Sequence, residues 1–198
     1  MQITYPIRNS LYLNITDRCT LECQFCPKHT GQGPVVHDFD LSMDHRPEIK
    51  KIIEAIGNPA DYDEIVFCGF GEPTLRFKVL MEVARWVKEQ GGKVRINTDG
   101  LANLVNKRNV LPEMQGVIDS ISVSMNAQDP ETYARHCHPA LPGSWKAMLA
   151  FLEQAPKYIP QVTATAIEGL EGVDIEACEK LAVERGVKFR CRQLDNVG

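Results

Sequence analysis

The stretch Leu11-Tyr-Leu-Asn-Ile-Thr-Asp-Arg-Cys19-Thr-Leu-Glu-Cys23-Gln-Phe25-Cys26 opens as a strand and closes as a loop carrying three cysteines. Apolar and β-branched residues over Leu11–Thr16 predict a β-strand that delivers the cysteines at its end. The spacing Cys19-x3-Cys23-x2-Cys26 puts three thiols on one short loop. Three such thiolates can hold three irons of a cubane [4Fe–4S] cluster. No fourth cysteine follows at close spacing, so one iron would stay open to a substrate or cofactor. A structural zinc site is the alternative, because Cys₃His and Cys₄ sites also use short spacings and His29 lies three residues past Cys26. Zinc sites, however, usually pair two such clips, and this chain has no second one.

Outward from that loop, strand-like and helix-like patterns alternate. Residues 27–41 form a loop rich in Gly, Pro and His. Ile49, Ile52, Ile53 and Ile56 fall at i, i+3, i+4 and i+7, the pattern of an amphipathic helix, closed by Gly57. Glu64–Cys68 reads as a second strand. Leu80, Val83, Ala84 and Val87 mark a helix stopped by Gly91-Gly92. A third strand over Val94–Asn97 precedes a helix across about residues 101–115. Ser120–Ser124 is a fourth strand, and one or two helices follow over roughly 130–158, broken near Pro139–Gly143. Val162–Ile167, a helix over Asp174–Arg185 and a strand over Val187–Arg192 complete the series.

Six β/α units in series predict an α/β fold with a parallel sheet and helices outside. Periodicity does not separate an open doubly wound sheet from a barrel. The polar motifs sit immediately after strands, at the edge where parallel β/α folds place chemistry. Six units fall short of an eight-stranded barrel and suit a partial, three-quarter TIM-like barrel with an open side.

The 198 residues, 43% of them hydrophobic, suffice for one core, so a single domain over 1–198 is expected. Lys and Arg number 22 against 26 Asp and Glu, a net charge of −4, which does not support direct nucleic-acid binding by a broad basic surface. Lys28, Arg46, Lys50 and Lys51 read as solvated surface. The N-terminal segment lacks a basic stretch followed by an apolar run, so no signal peptide is expected. No apolar run approaches the roughly 18 residues of a membrane span. Seven cysteines, three of them bunched, suit a reducing cytoplasm better than a disulfide framework.

Three further strand ends carry polar or glycine-rich motifs. Phe67-Cys68-Gly69-Phe70-Gly71-Glu72-Pro73-Thr74 places glycines where backbone could approach a bound molecule closely, with the Glu72 carboxylate beside an expected positive group. Asn97-Thr98-Asp99-Gly100 suits a hydrogen-bonding shelf, with helix capping the structural alternative for Thr98 and Asp99. Ser122-Val-Ser124-Met-Asn126 alternates polar residues on one face. Ser122, Cys68, Cys178 and Cys191 are expected to serve packing, and Trp86 and Trp145 to anchor helices. His136-Cys137-His138-Pro139 has metal-ligand residue types, but neighbours on a helix end point in different directions. Arg190 and Arg192 share one strand face and could meet an anionic substrate.

Taken together, the cysteine triplet with Phe25 before its last member resembles the radical S-adenosylmethionine (SAM) superfamily. Gly69-Phe70-Gly71-Glu72 is similar to that family's Gly-Gly-Glu motif, with Phe70 for its first glycine, and Asn97-Thr98-Asp99-Gly100 to its Asn-Thr-Asn-Gly. The segments Asn9–Cys19, Val66–Leu75, Arg95–Leu104, Asn109–Glu113, Ser122–Ala127 and Pro160–Thr165 resemble the TatD family-associated radical SAM proteins. The resemblance implies a [4Fe–4S] cluster on Cys19, Cys23 and Cys26. It implies SAM contacts from Phe25, Gly69, Gly71, Glu72, Asn97, Ser124 and Asn126. It implies reductive cleavage of SAM to a 5′-deoxyadenosyl radical that takes hydrogen from a substrate, an electron donor such as flavodoxin or ferredoxin, and a functional link to a TatD-type nuclease. Readings that resemble 7-carboxy-7-deazaguanine synthase or a glycyl-radical activase stand beside it. So does a non-catalytic zinc or iron–sulfur module.

Overall fold

The computed structural model describes residues 1–31, 33–36 and 38–193. Gln32 and His37 of the 27–41 loop, and the last five residues of the expected 1–198 domain, lie outside the described residues.

Strands β1 (Thr4–Ile7), β2 (Ser10–Leu13), β5 (Glu64–Phe67), β6 (Val94–Thr98), β7 (Ser120–Ser124), β8 (Gln161–Glu168) and β9 (Lys188–Gln193) form one sheet in that spatial order. Two short strands, β3 (Val35–Val36) and β4 (Phe39–Asp40), make a separate antiparallel ladder within the 27–41 loop. Every pair from β2 to β9 is parallel, while β1 turns back antiparallel along the edge of β2. The six expected parallel strands are therefore present, and β1 is an addition. Its sequence, Thr4-Tyr-Pro-Ile, places a proline in the run, which only an edge strand accommodates.

Between the parallel strands lie helices α1 (Ile49–Ile56), α2 (Phe77–Glu89), α3 (Ala102–Asn106), α4 (Leu111–Met114), α5 (Pro130–Cys137), α6 (Ser144–Gln154) and α7 (Ile175–Glu184). Strand order follows chain order from β2 to β9 without a reversal. A doubly wound sheet reverses direction at a switch point. Right-handed crossovers that all step one way place their helices on one face of the sheet. The burial pattern agrees. Leu13, Ile65, Phe67, Ile96 and Val123 join Ile52, Leu80, Val83, Met148 and Phe151 in one large core between sheet and helices. Tyr5, Tyr12, Val36, Leu41 and Val66 form a smaller cluster on the other face. Ile65 and Phe67 thus face the helices while Val66 faces away, as period-two alternation requires.

Two expectations need correction. The first strand ends at Leu13 rather than Thr16, although Asn14 still makes one backbone bond in the β1–β2 register. Its backbone N–H donates to Ile3 O at 2.8 Å, and its side-chain amide donates to Gln2 O at 3.1 Å and Leu41 O at 2.9 Å. The expected helix over 101–115 is two short ones. Lys107 adopts a left-handed conformation (φ 53°) that caps α3, and Asn109 turns the chain by accepting from Leu111 N. Pro112 sits in the first turn of α4, where its missing N–H costs nothing. The other boundaries fall within a few residues of expectation, and α1 ends at Gly57 (φ 69°) as the sequence predicts.

Asn14 is fully buried and also accepts from Phe70 N at 3.0 Å, so its one amide ties three chain segments together. Asn14→Ala strands those partners without a solvent alternative. It should destabilise the protein by about 3 kcal/mol, seen as a lower urea midpoint at unchanged m-value.

Candidate functional site

The C-terminal ends of the parallel strands surround one open cavity of about 270 Å³, on the scale of a small-molecule site. Cys19, Cys23 and Cys26 line it from the loop after β2, together with Phe25. Gly69, Gly71 and Glu72 line it after β5, Asn97 from β6, and Ser124 and Asn126 from β7 and the residues beyond it. All ten residues singled out in the sequence meet at this cavity, although they lie up to 107 positions apart (126 − 19).

The cysteine loop is held from two sides. On one, the C-terminus of α5 offers backbone groups. Glu22 N donates to Cys137 O at 3.0 Å, Gln24 N donates to His136 O at 2.9 Å, and Ala140 N donates to Thr20 O at 3.0 Å. Leu21 and Pro139 form an isolated antiparallel bridge in the same place. The His136-Cys137-His138-Pro139 segment is thus a docking edge for the cysteine loop, made mostly of main chain, with the His138 ring meeting the Gln24 amide at 3.1 Å. His138 takes the left-handed turn (φ 44°) that caps α5 and exposes its last carbonyls.

On the other side stands a buried carboxyl pair. Glu72 accepts from Thr74 N at 2.9 Å, Thr74 Oγ1 at 2.6 Å, Thr98 Oγ1 at 2.9 Å and Asp99 N at 2.7 Å. Asp99 accepts from Thr20 Oγ1 at 2.5 Å and from Leu101 N at 2.9 Å. The sequence assigned Glu72 to a positive group on a ligand. The structure instead commits its oxygens to the protein's own donors, so it ties the ends of β5 and β6 together. Asp99, which the sequence left balanced between capping and binding, turns the chain ahead of α3 by accepting from Leu101 N, without capping the helix itself, and also bonds the cysteine loop.

The glycines also serve the fold itself. A Cβ on Gly69 (φ 76°) would sit 2.6 Å from Asn14 Oδ1, and one on Gly71 would sit 2.6 Å from Thr16 O. The close approach they permit is to the chain's own backbone after β2. The Gly69, Phe70 and Glu72 N–H groups are likewise engaged internally, by Tyr5 Oη, Asn14 Oδ1 and Arg18 O. Among the described residues no hydrogen bond uses the carbonyls of Gly69, Phe70 or Gly71, which leaves that edge an acceptor surface.

On the sheet face away from the helices, Arg95 donates to Glu64 at 2.9 Å and to Asn97 Oδ1 at 2.7 Å. Asn97 Nδ2 then points to Cys68 Sγ at 3.6 Å, so Cys68 lines the cavity, contrary to the expected packing role. Asn126 holds a left-handed conformation (φ 59°), which asparagine tolerates better than most residues. Cys178 is buried in the core and Cys191 is exposed, and neither is among the residues that line the cavity. Sequence reasoning missed Tyr5, Tyr12, Thr20 and Thr165, which are also in or beside it. Thr20 carried a signal in its place next to Cys19, whereas Tyr12 gave none because an aromatic residue in a strand reads as core, and Tyr5 none because its strand was not foreseen.

His29, the residue that would complete a zinc set, is exposed and is not among the cavity-lining residues. Among the described residues no three or more His, Cys, Asp or Glu side chains are gathered as ligands of a single ion. A cubane asks for a different layout, one thiolate to each iron around a shared space. Three thiols facing one cavity, with the carbonyls of Gly69–Gly71 as acceptors, fit that layout.

A protein-family model described as the radical SAM superfamily matches residues 13–183. Among curated proteins, a GTP 3′,8-cyclase of Pelotomaculum thermopropionicum is 27% identical over 202 aligned positions, covering 100% of this chain and 59% of that protein. A dual-specificity RNA methyltransferase of Halorhodospira halophila is 29% identical over 145, covering 65% of this chain and 35% of that one. The chain thus spans less than two thirds of the length of these curated relatives. Among solved structures, Streptococcus suis SuiB bound to its precursor peptide superposes with a TM-score of 0.68 at 15% identity, over 94% of this chain and 39% of that one, which is a likeness of fold.

Burial, and then the neighbouring Asp99 charge, push the Glu72 carboxyl up from 4.5 to about 8, against the hydrogen bonds it accepts. Burial raises Asp99 as well, so the pair holds a proton that the unfolded chain releases. A raised carboxyl value means that stability is fullest below 4.5 and falls as pH climbs toward about 8. The urea midpoint of cluster-free protein should therefore decline across that window. Glu72→Gln should remove most of the decline, and a flat wild-type profile would contradict the shared proton.

Proposed function

The chain belongs to the radical SAM superfamily, a family of enzymes that use a [4Fe–4S] cluster and SAM, and on that premise we propose that the cavity described above is its radical-generating site. The observation that carries the reading is the meeting of Cys19, Cys23 and Cys26 with the Gly69–Glu72 edge and Asn126 at successive strand ends of one parallel sheet. Cys19, Cys23 and Cys26 would hold three irons of the cluster. The chemistry such a cluster and SAM supply when bound is one-electron cleavage of the sulfonium, yielding methionine and a 5′-deoxyadenosyl radical for hydrogen abstraction.

The chain's own residues bind, orient and enclose. The carbonyls of Gly69–Gly71 would accept from an ammonium group, which only donates. Ser124 and Asn126 offer a hydroxyl and an amide to a ribose or carboxylate. Asn97 is held in one orientation by Arg95 and presents the same edge of β6. Phe25 supplies an apolar wall against the large core. Glu72 acts as a positioning residue, because its oxygens are spent on Thr74, Thr98 and Asp99.

The wider reading keeps the three-quarter barrel, supported by six parallel strands in unreversed order, and a flavodoxin or ferredoxin as electron donor. It keeps the link to a TatD-type nuclease on the strength of the motif segments quoted above. A cytoplasmic setting agrees with seven free thiols. No described helix is long and apolar enough to cross a membrane.

Anaerobic reconstitution should give a brown protein whose cluster spectrum changes on adding SAM and which forms 5′-deoxyadenosine with a reductant. Ser at Cys19, Cys23 or Cys26 should abolish the SAM-dependent change, while Cys178→Ser, in the core away from the cavity, should keep it. A colourless, zinc-loaded protein would refute the assignment.

A further inference from the structure

The cavity contains positive charge that no described residue neutralises. Strands β8 and β9 run parallel with Thr165 opposite Arg190 and Ile167 opposite Arg192, and all four residues line the cavity. Residues two apart on a strand share a face, so both arginines lie on the cavity side of β9. Arg192 Nη2 reaches Asn126 Oδ1 only at 3.4 Å, and its buried Nε has no hydrogen-bond partner among the described residues. Neither arginine belongs to an ion pair among the described residues.

The nearby carboxylates are taken. Glu72 and Asp99 are bound to Thr74, Thr98, Thr20 and backbone N–H groups, and Glu168 accepts from Gln193 at 2.6 Å. The half-buried Arg192 guanidinium, left with an unsatisfied N–H beside the exposed Arg190, is costly, since it loses hydration and the two charges repel. The repulsion registers in Arg192, which burial and then Arg190 push below the usual arginine range. An oxyanion placed between the two would answer both costs, because the guanidinium fork matches carboxylate and phosphate oxygens.

We propose that Arg190 and Arg192 are the receptor for the anionic group, a carboxylate or a phosphate, of a small-molecule substrate that occupies the β8–β9 side of the cavity. The proposal rests on the reading of this cavity as the radical-generating site, and it adds the chemical class of what is acted on. SAM carries a carboxylate of its own, so the decisive distinction is between a second anionic molecule and SAM itself.

The test is calorimetric titration of inorganic phosphate and of succinate into anaerobically reconstituted protein at fixed chloride, for wild type, the exposed single variant Arg190→Gln and the double variant Arg190→Gln/Arg192→Gln. SAM affinity is measured in parallel and far-UV circular dichroism checks the fold. One of the two anions should bind wild type, and the double variant should weaken it about tenfold or more. Arg190→Gln should weaken it in the same direction, while SAM affinity stays unchanged. The probe that binds tells phosphate from carboxylate. Equal anion binding in all three proteins would overturn the proposal, as would loss of SAM affinity together with anion binding, which would assign the arginines to SAM. The same titration on cluster-free protein separates the two readings. Arginine-dependent anion binding by a protein that never takes up a cluster keeps the receptor and removes the radical chemistry. A SAM-responsive brown protein with arginine-independent binding does the reverse.

Discussion

A buried carboxyl, Glu72, holds the cavity in shape. Its two oxygens collect hydrogen bonds from Thr74, Thr98 and Asp99, and Asp99 extends the chain of contacts to Thr20, next to Cys19. Glu72 N also donates to Arg18 O at 2.7 Å. One residue after β5 therefore fixes the end of β6 and the start of the cysteine loop together. Burying two carboxyls side by side is unfavourable unless donors surround them, and here hydroxyl and backbone donors do so. From the opposite side the last turn of α5 offers its carbonyls to Glu22 and Gln24. A loop with few apolar anchors of its own is set in place by hydrogen bonds from strand ends and a helix end.

The one-way winding of the sheet has a matching effect on the cavity. With helices on one side, the large core fills the helix-facing side of the sheet, and the other face is free to carry Arg95, Asn97, Ser122, Ser124, Thr165, Arg190 and Arg192 in a polar row. Its charges are not evenly paired. Toward β2 and β5 the carboxyls are consumed within the protein, Arg95 meets Glu64, and toward β9 the arginines have no described acid to meet. The sheet thus presents acceptor carbonyls at one end of its strand order and donors at the other, which suits two differently charged groups sharing one space.

Most of the strands and helices were legible because period-two and period-3.6 patterns report burial directly. The misreadings have specific causes. Lys107 in a left-handed turn breaks what looks like one helix over 101–115, and a lysine gives no sequence sign of that conformation. Strand β2 stops at Leu13, and Asn14 beyond it spends its side-chain amide on three segments, which no local pattern announces. Strand β1 escaped notice because its proline argues against a strand everywhere except at an edge. The glycines of the Gly69–Gly71 motif were read correctly as sites of close approach, yet the partner is the backbone after β2. His136 and Cys137 have ligand chemistry in their side chains, while their main chain does the work of docking.

The sequence alone determined the parallel α/β class, the cysteine triplet and the set of strand-end motifs, since each depends on spacing and residue chemistry within a short window. Only the tertiary structure decided that these windows share one cavity, that Glu72 faces inward, and that Arg190 and Arg192 stand without an acid among the described residues. Those facts depend on which strands lie side by side and which way each side chain is turned. Hydrogen bonds between segments dozens of residues apart settle both, and no local pattern records them.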